Sequence, residues 1–530
     1  MSTLRAQPGR DRARAPRASL LIRSLALAFV WALMGGVLTS SVQAAPVLPL
    51  GHAGRWVTDA RGRVVVMHGI NMVYKLPPYY PQAAGFDNDD AAFLQRIGFN
   101  VVRVGVIWKA LEPQPGVYDE GYLKRIGHTV ATLARHHIAS LLDFHQDQYN
   151  ERFQGEGFPD WAVQDDGLPA QPKLGFGADY VSMPALWRAF DHFWANSPGP
   201  GGVGIQDRYA SAWSHVAAHF RSNRNVLGYE LMNEPWPGSQ WPSCANTQGC
   251  PAFDSGQLAG AYRRMLKAIR RVDRRKLVWY EPQVIFNYGA NTNLPPLGDR
   301  RLGFSFHDYC LEHDEFHTKI SCATVGDLPI SDAITHSRGT GDALLMTEWG
   351  ATDETDLLSA MVTRDDSAMI PWIEWAYCGC KDPTTSGPGD KQAIVRDPSK
   401  PPRGANLVTG TLRALVEPYP QVIAGTPQRW HFDSHTRTFT FSFSTTRASG
   451  RRRFGKGWIT EIAMPRLVYG GRYSARVSGA AIVSRRGARV LRIAACRRAR
   501  KITVTVRPGR RRSRGSCRIR ARARRPRVSR

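Results

Sequence analysis

The sequence predicts an α/β fold, a (β/α)8 TIM barrel followed by a small C-terminal antiparallel β-sandwich. Three observations predict it: eight apolar runs between residues 64 and 377, helix-like segments between most of them, and a change of pattern after Pro418. Near-continuous apolar runs are typical of strands that are buried on both faces of a parallel sheet. Eight such strands are the number that closes into this barrel.

The eight predicted barrel strands are 64–71, 100–108, 138–145, 225–234, 276–283, 302–310, 343–350 and 369–377. Apolar side chains recur at helical spacing in 119–136, 206–221 and 257–273, with charged residues on the other face. The acidic residues at 87–90 stand directly before Ala91, a pattern that begins a helix. The alternation of strand and helix favours an α/β barrel.

After Pro418 the apolar runs become short and often alternate with polar residues. The predicted strands are 430–432, 438–444, 460–464, 473–477, 481–483, 490–494 and 502–506. Turn residues separate them, and no apolar period of helical length follows, which is typical of a β-sandwich. We therefore divide the chain into a signal peptide (1–44), the barrel (45–417), the sandwich (418–508) and an arginine-rich tail (509–530).

The N-terminal segment is typical of a secretory signal. Arginines precede an apolar run at 24–37, and Val42-Gln43-Ala44 supplies a small-residue cleavage pattern. An uncleaved membrane anchor is the alternative, although the run is short for a span. We therefore expect a secreted protein.

The eight cysteines fit export, because disulfides persist in oxidising compartments. Their proximity in sequence suggests the pairs 244–250, 310–322 and 496–517. Cys378 and Cys380 could form a local bridge, stay as free thiols or belong to a metal site. No further ligands are spaced for a metal, so we expect neither a metal ion nor a cofactor.

The net charge of +27 is concentrated at the chain ends. Residues 497–530 carry sixteen Lys or Arg side chains and no acidic ones, and residues 1–44 carry six Arg and one Asp. Such a tail either stays solvated or contacts a lipid surface or an anionic cell envelope. Because we expect export, we expect no nucleic-acid partner, and we expect a monomer.

Polar side chains mark the predicted strands, mostly at their C-terminal ends, where barrel enzymes place their active sites. In strand order they are His68 and Asn71; Arg103; Asp143, His145 and Asp147; Asn233 and Glu234; Glu281 and Gln283; His307 and Tyr309; Glu348; and Glu374 and Trp375. Buried polar groups are costly unless partnered, so stability alone explains such a series poorly.

Two of these carboxylates, Glu234 and Glu348, follow strands that lie across the barrel mouth from each other. Glycoside hydrolysis needs one protonated carboxyl group as acid and one carboxylate, and a separation of about 5 Å indicates retention of configuration. The alternative for each glutamate is a salt bridge to a barrel arginine such as Arg103. We predict that Glu234 and Glu348 are catalytic.

The motifs "LMNEPW" and "TEWG" on the fourth and seventh strands resemble glycoside hydrolase family 5, over residues 51 to about 406. The resemblance implies that Glu234 is the acid/base, that Glu348 is the nucleophile and that Asn233 binds the sugar 2-hydroxyl. It further implies that Tyr309 holds the nucleophile and that Trp375 stacks on the sugar. By the same resemblance His145 and His307 belong to the substrate site, and Arg103 supports it.

Within the family, "GINMVYKLPPYYP", "LLDFHQDQYN", "GPGGVGIQDRYASAW" and "TEIAMPRLVYGG" resemble bacterial endoglycoceramidases. These enzymes release the intact glycan from glycosphingolipids, and they carry a C-terminal β-sandwich. The resemblance implies that Lys75, Asp143, Asp147 and Trp187 contact the sugars. The alternatives are an endo-β-glucanase or mannanase of the same family, or a catalytically silent binder of carbohydrate or lipid surfaces.

The long connection after the third strand is rich in aromatic residues. They are Phe153, Phe158, Trp161, Phe176, Tyr180 and Trp187. Connections of this length are often functional, and aromatic rings there could stack on sugars or line a groove for a lipid tail. Ordinary loop packing is the alternative.

Overall fold

The computed structural model describes residues 46–309, 327–384, 391–450 and 452–518. The predicted signal peptide, the predicted Cys310–Cys322 pair and the end of the arginine-rich tail lie outside these residues. Within the described ranges no helix is both long enough and apolar enough to cross a bilayer.

The chain begins with three short strands, β1 (Gly51–Ala53), β2 (Trp56–Thr58) and β3 (Val64–Val65). Eight parallel strands then close into a barrel, which confirms the predicted fold class. They are β4 (His68–Met72), β5 (Val101–Val106), β6 (Ala139–Phe144), β7 (Val226–Glu230), β8 (Leu277–Tyr280), β9 (Leu302–Asp308), β10 (Ala343–Trp349) and β11 (Trp372–Glu374). Nearly every residue in these strands is buried, as expected for strands covered on both faces.

Helices cover the outside of the barrel. The longer ones are α1 (Asn88–Ile97), α2 (Glu120–Arg135), α3 (Pro184–Trp194), α4 (Ile205–Phe220), α5 (Ala259–Val272), α6 (Leu328–Thr340), α7 (Thr355–Ala368) and α8 (Thr409–Leu415). Helix α1 begins as the acidic run predicts, because the Asp87 and Asp90 side chains cap each other's backbone. It ends at Gly98, whose φ of 104° suits glycine.

Two sheets form the C-terminal sandwich. Its strands are β12 (Pro420–Ile423), β13 (Thr426–Asp433), β14 (Thr438–Ser444), β15 (Ile459–Ala463), β16 (Tyr473–Ser478), β17 (Ala480–Ile482), β18 (Val490–Ala495), β19 (Lys501–Pro508) and β20 (Arg514–Gly515). The sheet orders are β1-β2-β3-β12-β15-β18-β17 and β13-β14-β19-β16-β20. All pairings within the two sheets are antiparallel except that of β16 with β20. Their inner faces share a core around Trp430, Phe441, Ile462 and Ile493.

The run predicted as one barrel strand at 64–71 is divided by the structure. Val64 pairs with Ile423 of the sandwich, whereas His68 pairs with Trp372 of the barrel. Both halves are buried and apolar, so hydrophobicity carries no sign of the break. As a result, β1–β3 complete a sheet that sequence analysis assigned wholly to residues after 418.

This shared sheet lies at the N-terminal end of the barrel strands. Leu50, Val57 and Met67 pack there against Leu141 and Leu277, which close the barrel floor. The Val66 N–H donates to the Gln421 carbonyl at 3.1 Å. The sandwich therefore braces the barrel at the end opposite to the C-terminal strand ends.

Three disulfides are present in the described residues. Cys244–Cys250 and Cys496–Cys517 match the predicted pairs, and Cys378 bonds to Cys380, which was one of three options for those residues. The Cys496–Cys517 bond and strand β20 hold the start of the predicted tail against the sandwich, so the tail is ordered at least to residue 518.

Candidate active site

The two predicted catalytic glutamates lie at the C-terminal end of the barrel. Glu234 lies four residues after the end of β7, with φ at 43°, an uncommon value for a residue other than glycine. Glu348 lies in β10, where the register with β9 shifts between Met346 and Glu348, so that Glu348 stands opposite His307. Irregular backbone of this kind is frequent at functional sites, where it aims a side chain.

The two carboxyl groups face each other across His307. One oxygen of Glu234, one of Glu348 and one ring nitrogen of His307 all lie within 4.8 Å of one another. Glu234 is 7% exposed and Glu348 is 4% exposed. Carboxyl groups about 5 Å apart leave no room for an intervening water, so the spacing fits a double displacement with retention.

Burial and the neighbouring groups together set the pKa of Glu234. Oε1 accepts hydrogen bonds from Asn287 Nδ2 at 2.7 Å and from His307 Nδ1 at 2.8 Å, the latter with the proton placed on that nitrogen. Burial raises the pKa of Glu234, and the charges of Glu348 and Asp147 raise it further, against the lowering effect of His307. A raised pKa is what a general acid requires.

Glu348 is held as a carboxylate ligand of two donors. Arg103 Nη1 donates to Oε1, and the Tyr309 hydroxyl donates to Oε2 at 2.8 Å. Both contacts fix the orientation of the carboxyl group. This arrangement is suited to a nucleophile whose position must not vary.

Arg103 lies at the centre of the barrel and is fully buried. Besides Glu348 it contacts Glu230, Asp143 at 3.0 Å and Glu281 at 3.3 Å. These carboxylates raise the pKa of Arg103, although burial opposes charging. Sequence analysis gave a salt bridge to Arg103 as the alternative role of Glu348, and that salt bridge is present. Arg103 also pairs with three other carboxylates, and Glu348 keeps its contact with Tyr309.

Asn233 and His145 complete the floor of the site. Asn233 Oδ1 accepts from Arg103 Nη2 at 2.8 Å, and its Nδ2 donates to the Gln146 carbonyl at 3.0 Å. His145 Nδ1 lies 2.8 Å from Asp143 Oδ2. Burial opposes the charge on His145, but Asp143 and Asp147 raise its pKa to about 10.

Lys75, Asp147 and Trp375 form a second polar group beside His145. Lys75 Nζ lies 2.5 Å from Asp147 Oδ2, 3.2 Å from Asp382 Oδ2 and 4.4 Å from the centre of the Trp375 ring. The Trp375 ring stacks on His145 with centroids 5.4 Å apart. The amine and the ring are therefore held beside His145, in an arrangement that suits a sugar-binding subsite.

The sequence comparisons agree with this geometry. Residues 58–381 match the family model "Cellulase (glycosyl hydrolase family 5)", and residues 418–506 match "Glycoside hydrolase family 5 C-terminal domain". This chain belongs to glycoside hydrolase family 5.

The family 5 hydrolase is similar to endoglycoceramidase I of Rhodococcus hoagii, with 33% identity over 467 residues, 85% of this chain and 87% of the relative. Endo-glycoceramidase II from Rhodococcus sp., solved as a lactosyl-enzyme intermediate, is 28% identical with a TM-score of 0.68, over 88% of this chain and 100% of that one. The same protein in complex with ganglioside GM3 is 27% identical with a TM-score of 0.68, over 86% and 99%. The hydrolase is a retaining glycosidase, as the sequence predicted.

Trp187, a predicted sugar-binding residue, lies in a group of aromatic side chains. It is half-buried in α3, with its Nε1 donating to the Tyr180 carbonyl at 2.7 Å and its ring 6.2 Å from that of Trp241. Trp241 in turn lies 6.0 Å from Trp236, which follows Glu234 by two residues, and Trp236 lies 4.9 Å from Tyr180. An aromatic cluster of Tyr180, Trp187, Trp236 and Trp241 thus extends outward from the acid.

The remaining aromatic residues of the long connection pack in or against the hydrophobic core. Phe153 and Phe158 are buried in the core, and Trp161 packs against Trp108 with centroids 5.2 Å apart. Phe176 packs at the edge of the same core. Ordinary packing accounts for these four, whereas Tyr180 and Trp187 belong to the aromatic cluster.

Sequence reasoning missed three residues that shape the site of the hydrolase. Asn287 donates to Glu234, and Asp382 and Thr384 support Lys75 and Asp147. Asn287 lies in a short turn after β8, and the other two follow the Cys378–Cys380 bridge. The cysteine pair itself was the available signal, because a local bridge suggests a backbone segment held in one position.

Proposed function

We propose that this enzyme hydrolyses the β-glycosidic bond between the oligosaccharide and the ceramide of glycosphingolipids. The observation that carries the proposal is the buried Glu234–Glu348 pair, set in a chain that aligns along most of its length with endoglycoceramidases. The solved relatives, which include a complex with ganglioside GM3, support this substrate class.

The geometry supports a double displacement. In the first step a Glu348 oxygen attacks the anomeric carbon, the bond to the ceramide oxygen breaks, and Glu234 gives its proton to that oxygen. In the second step Glu234, now a carboxylate, takes a proton from water, the hydroxide oxygen attacks the anomeric carbon, and Glu348 leaves. The glycan departs with its configuration retained, and both glutamates return to their starting states.

The charged neighbours assist each stage. The hydrogen bonds from Arg103 and Tyr309 to Glu348 weaken when one of its oxygens becomes part of the ester. They form again when the ester is hydrolysed. Asn233 is oriented by Arg103 and Gln146, so that its amide can meet the sugar 2-hydroxyl. Lys75 and Trp375 offer a cationic donor and a ring face to the glycan.

The aromatic cluster supports an amphiphilic substrate. Trp236 and Tyr180 are adjacent to the acid, and Trp236 and Trp241 carry ring nitrogens without a hydrogen-bond partner among the described residues. The cluster thus offers aromatic faces and ring N–H donors near Glu234, which suits a substrate that is part sugar and part lipid.

The test is to incubate the purified enzyme with lactosylceramide or GM3 in detergent micelles and to identify the products by mass spectrometry. We expect free ceramide together with the intact glycan, and no release by the Glu348→Gln variant. Absence of ceramide, with good hydrolysis of β-glucan or β-mannan, would refute the proposal in favour of a polysaccharide hydrolase of the same family.

Three further expectations stay predictions. We propose that the enzyme is exported, that it is monomeric, and that its basic C-terminal segment contacts an anionic envelope or lipid surface. The N-terminal arginine-rich and apolar pattern and the concentration of basic residues after 497 support these proposals. Sizing of the secreted protein and sedimentation with anionic and neutral vesicles would test them.

A further inference from the structure

A buried acidic cluster lies at the opposite end of the barrel from the active site. It is formed by His68, the first residue of β4, Asp366 near the end of α7 and Glu417, shortly before β12. Their exposed fractions are 1%, 2% and 7%. The three residues join the first barrel strand, the last barrel helix before β11 and the entry to the sandwich.

The donor atoms of this junction cluster converge. One ring nitrogen of His68 and one carboxylate oxygen from each of Asp366 and Glu417 lie within 4.8 Å of one another. His68 Nε2 and Glu417 Oε1 have no hydrogen-bond partner among the described residues. The His68 ring is sandwiched between Trp372 at 4.2 Å and Tyr419 at 3.8 Å, so the unpartnered nitrogen is fixed in place.

The junction cluster also lacks a compensating cation. The buried carboxylates of the active site have one: Arg103 for Asp143, Glu230 and Glu281, Lys75 for Asp147, and His307 for Glu234 and Glu348. Among the residues that the structure describes, no Lys or Arg forms an ion pair with Asp366 or Glu417.

The contacts that the cluster does make leave its charge unbalanced. Asp366 receives a hydrogen bond from Trp430 Nε1 and shares another with Glu417, which requires a proton on one of the two carboxyls. Asp365, beside them, has two buried oxygens without a partner in the described chain. Buried carboxylates without a counter-charge are costly, so the cluster needs either protons or a metal cation.

We propose that His68, Asp366 and Glu417 bind a divalent first-row transition-metal ion, with Zn²⁺ as the reference. One imidazole and two carboxylates are a donor set that such ions accept. Ligand atoms about 2.0–2.2 Å from a tetrahedral ion are about 3.4 Å apart, so small side-chain movements bring atoms that already lie within 4.8 Å of one another onto a single ion. The ion replaces the shared proton, which passes to solvent.

The ion is a structural clamp between the barrel and the sandwich. Its three ligands are far apart in the sequence, which explains why no spacing signal predicts it. Because binding occurs in the folded chain, Zn²⁺ at a hundredfold excess over its Kd raises the Tm by roughly 3 °C. The glutamates at the other end of the barrel are unaffected, so turnover of a soluble aryl glycoside stays unchanged.

The test is the metal content of the full chain produced with Zn²⁺ in the medium, desalted, and measured by elemental mass spectrometry. We expect about one equivalent in the wild type and less than about a tenth of that in Glu417→Gln and in His68→Phe, which keeps the ring stack. Removing the metal should lower the Tm of the wild type alone. Asp254→Asn, which removes a buried carboxyl group elsewhere, should keep both the metal and the shift.

The active site offers an imidazole and two carboxylates of its own, so the Glu348→Gln variant is the decisive control. Metal that persists in Glu348→Gln and disappears in Glu417→Gln supports the junction site. Metal that disappears in Glu348→Gln and persists in Glu417→Gln is bound by the catalytic pair, and this result overturns the proposal. A wild type that has no stoichiometric metal and no Tm response to Zn²⁺ also overturns it, whether or not the variants fold.

Discussion

Replacement of Glu234 by Gln tests the assignment of the acid without disturbing the fold. The amide keeps the size of the side chain, and its oxygen can keep accepting from Asn287 and His307, which lie at 2.7 and 2.8 Å from Oε1. The variant therefore removes the transferable proton and little else. A loss of rate then reports proton transfer to the leaving oxygen.

The expected loss depends on the leaving group. General acid–base catalysis contributes about 10²–10⁴-fold, or roughly 3–5 kcal/mol at 1.36 kcal/mol per tenfold. Ceramide leaves as an alkoxide unless it is protonated, and Glu234 is the buried group whose raised pKa suits that task. We therefore expect a loss of about 10³–10⁴-fold in kcat/KM on a glycosylceramide.

The assay compares that substrate with a dinitrophenyl glycoside, whose leaving group is stable as an anion. Glu234→Gln should release dinitrophenol in a rapid burst and then slow down, because the second step still needs a base. Azide, a nucleophile that requires no base, should restore turnover. An equal loss on both substrates, or no burst, would refute the assignment. The control is Glu374→Gln, the same substitution at another buried glutamate, whose pKa burial raises.

Three further predictions follow from the described contacts. Glu348→Gln should abolish turnover, with a loss of at least about 10³-fold, while calorimetry still detects binding of lactosylceramide micelles; turnover near the wild-type rate would contradict its role as nucleophile. Asp382→Asn removes one of the two carboxylates beside Lys75, so KM for the glycolipid should rise about tenfold with a smaller change in kcat; an unchanged KM would show that Lys75 is placed without it. Burial raises the pKa of Asp254 from 3.8 to about 7, so the folded state holds a proton that the unfolded state loses, and the free energy of unfolding falls as the pH rises from about 4 to 7. Asp254→Asn lacks this loss, so its Tm relative to the wild type should increase across that window; a constant difference would contradict the shift.

The barrel was largely predictable because its strands are buried on both faces. The predicted run 343–350 and the observed β10, Ala343–Trp349, differ by one residue, and helix α2 agrees with its predicted range equally well. The prediction of 64–71 as one strand was wrong for the same reason. The chain is buried on both sides of the break between Val65 and His68, so no polar residue marks it. Local hydrophobicity reports burial and does not report which sheet a strand joins.

The candidate site divides in a similar way. Glu234, Glu348 and Arg103 were predictable because they are charged residues at the ends or in the middle of apolar runs. Asn287, Asp382 and the aromatic partner Trp241 were not, because they lie in turns and loops whose positions depend on tertiary contacts. The junction cluster needed coordinates for the same reason, since its members come from β4, α7 and the segment before β12.

The seven-stranded sheet constrains the order in which the molecule can be completed. Arg63, next to β3, donates to the carbonyl of Ile459 at 3.5 Å across a sequence separation of 396 residues. During synthesis, therefore, strands β1–β3 are made long before the sandwich strands with which they pair. A truncation after Pro418 would not yield a free-standing barrel: β3 would lose its partner β12, and the buried face of Trp56, Val64 and Val66 would be opened to water. Strands β1–β3 therefore become fully paired only after the C-terminal sandwich has been synthesised and has folded.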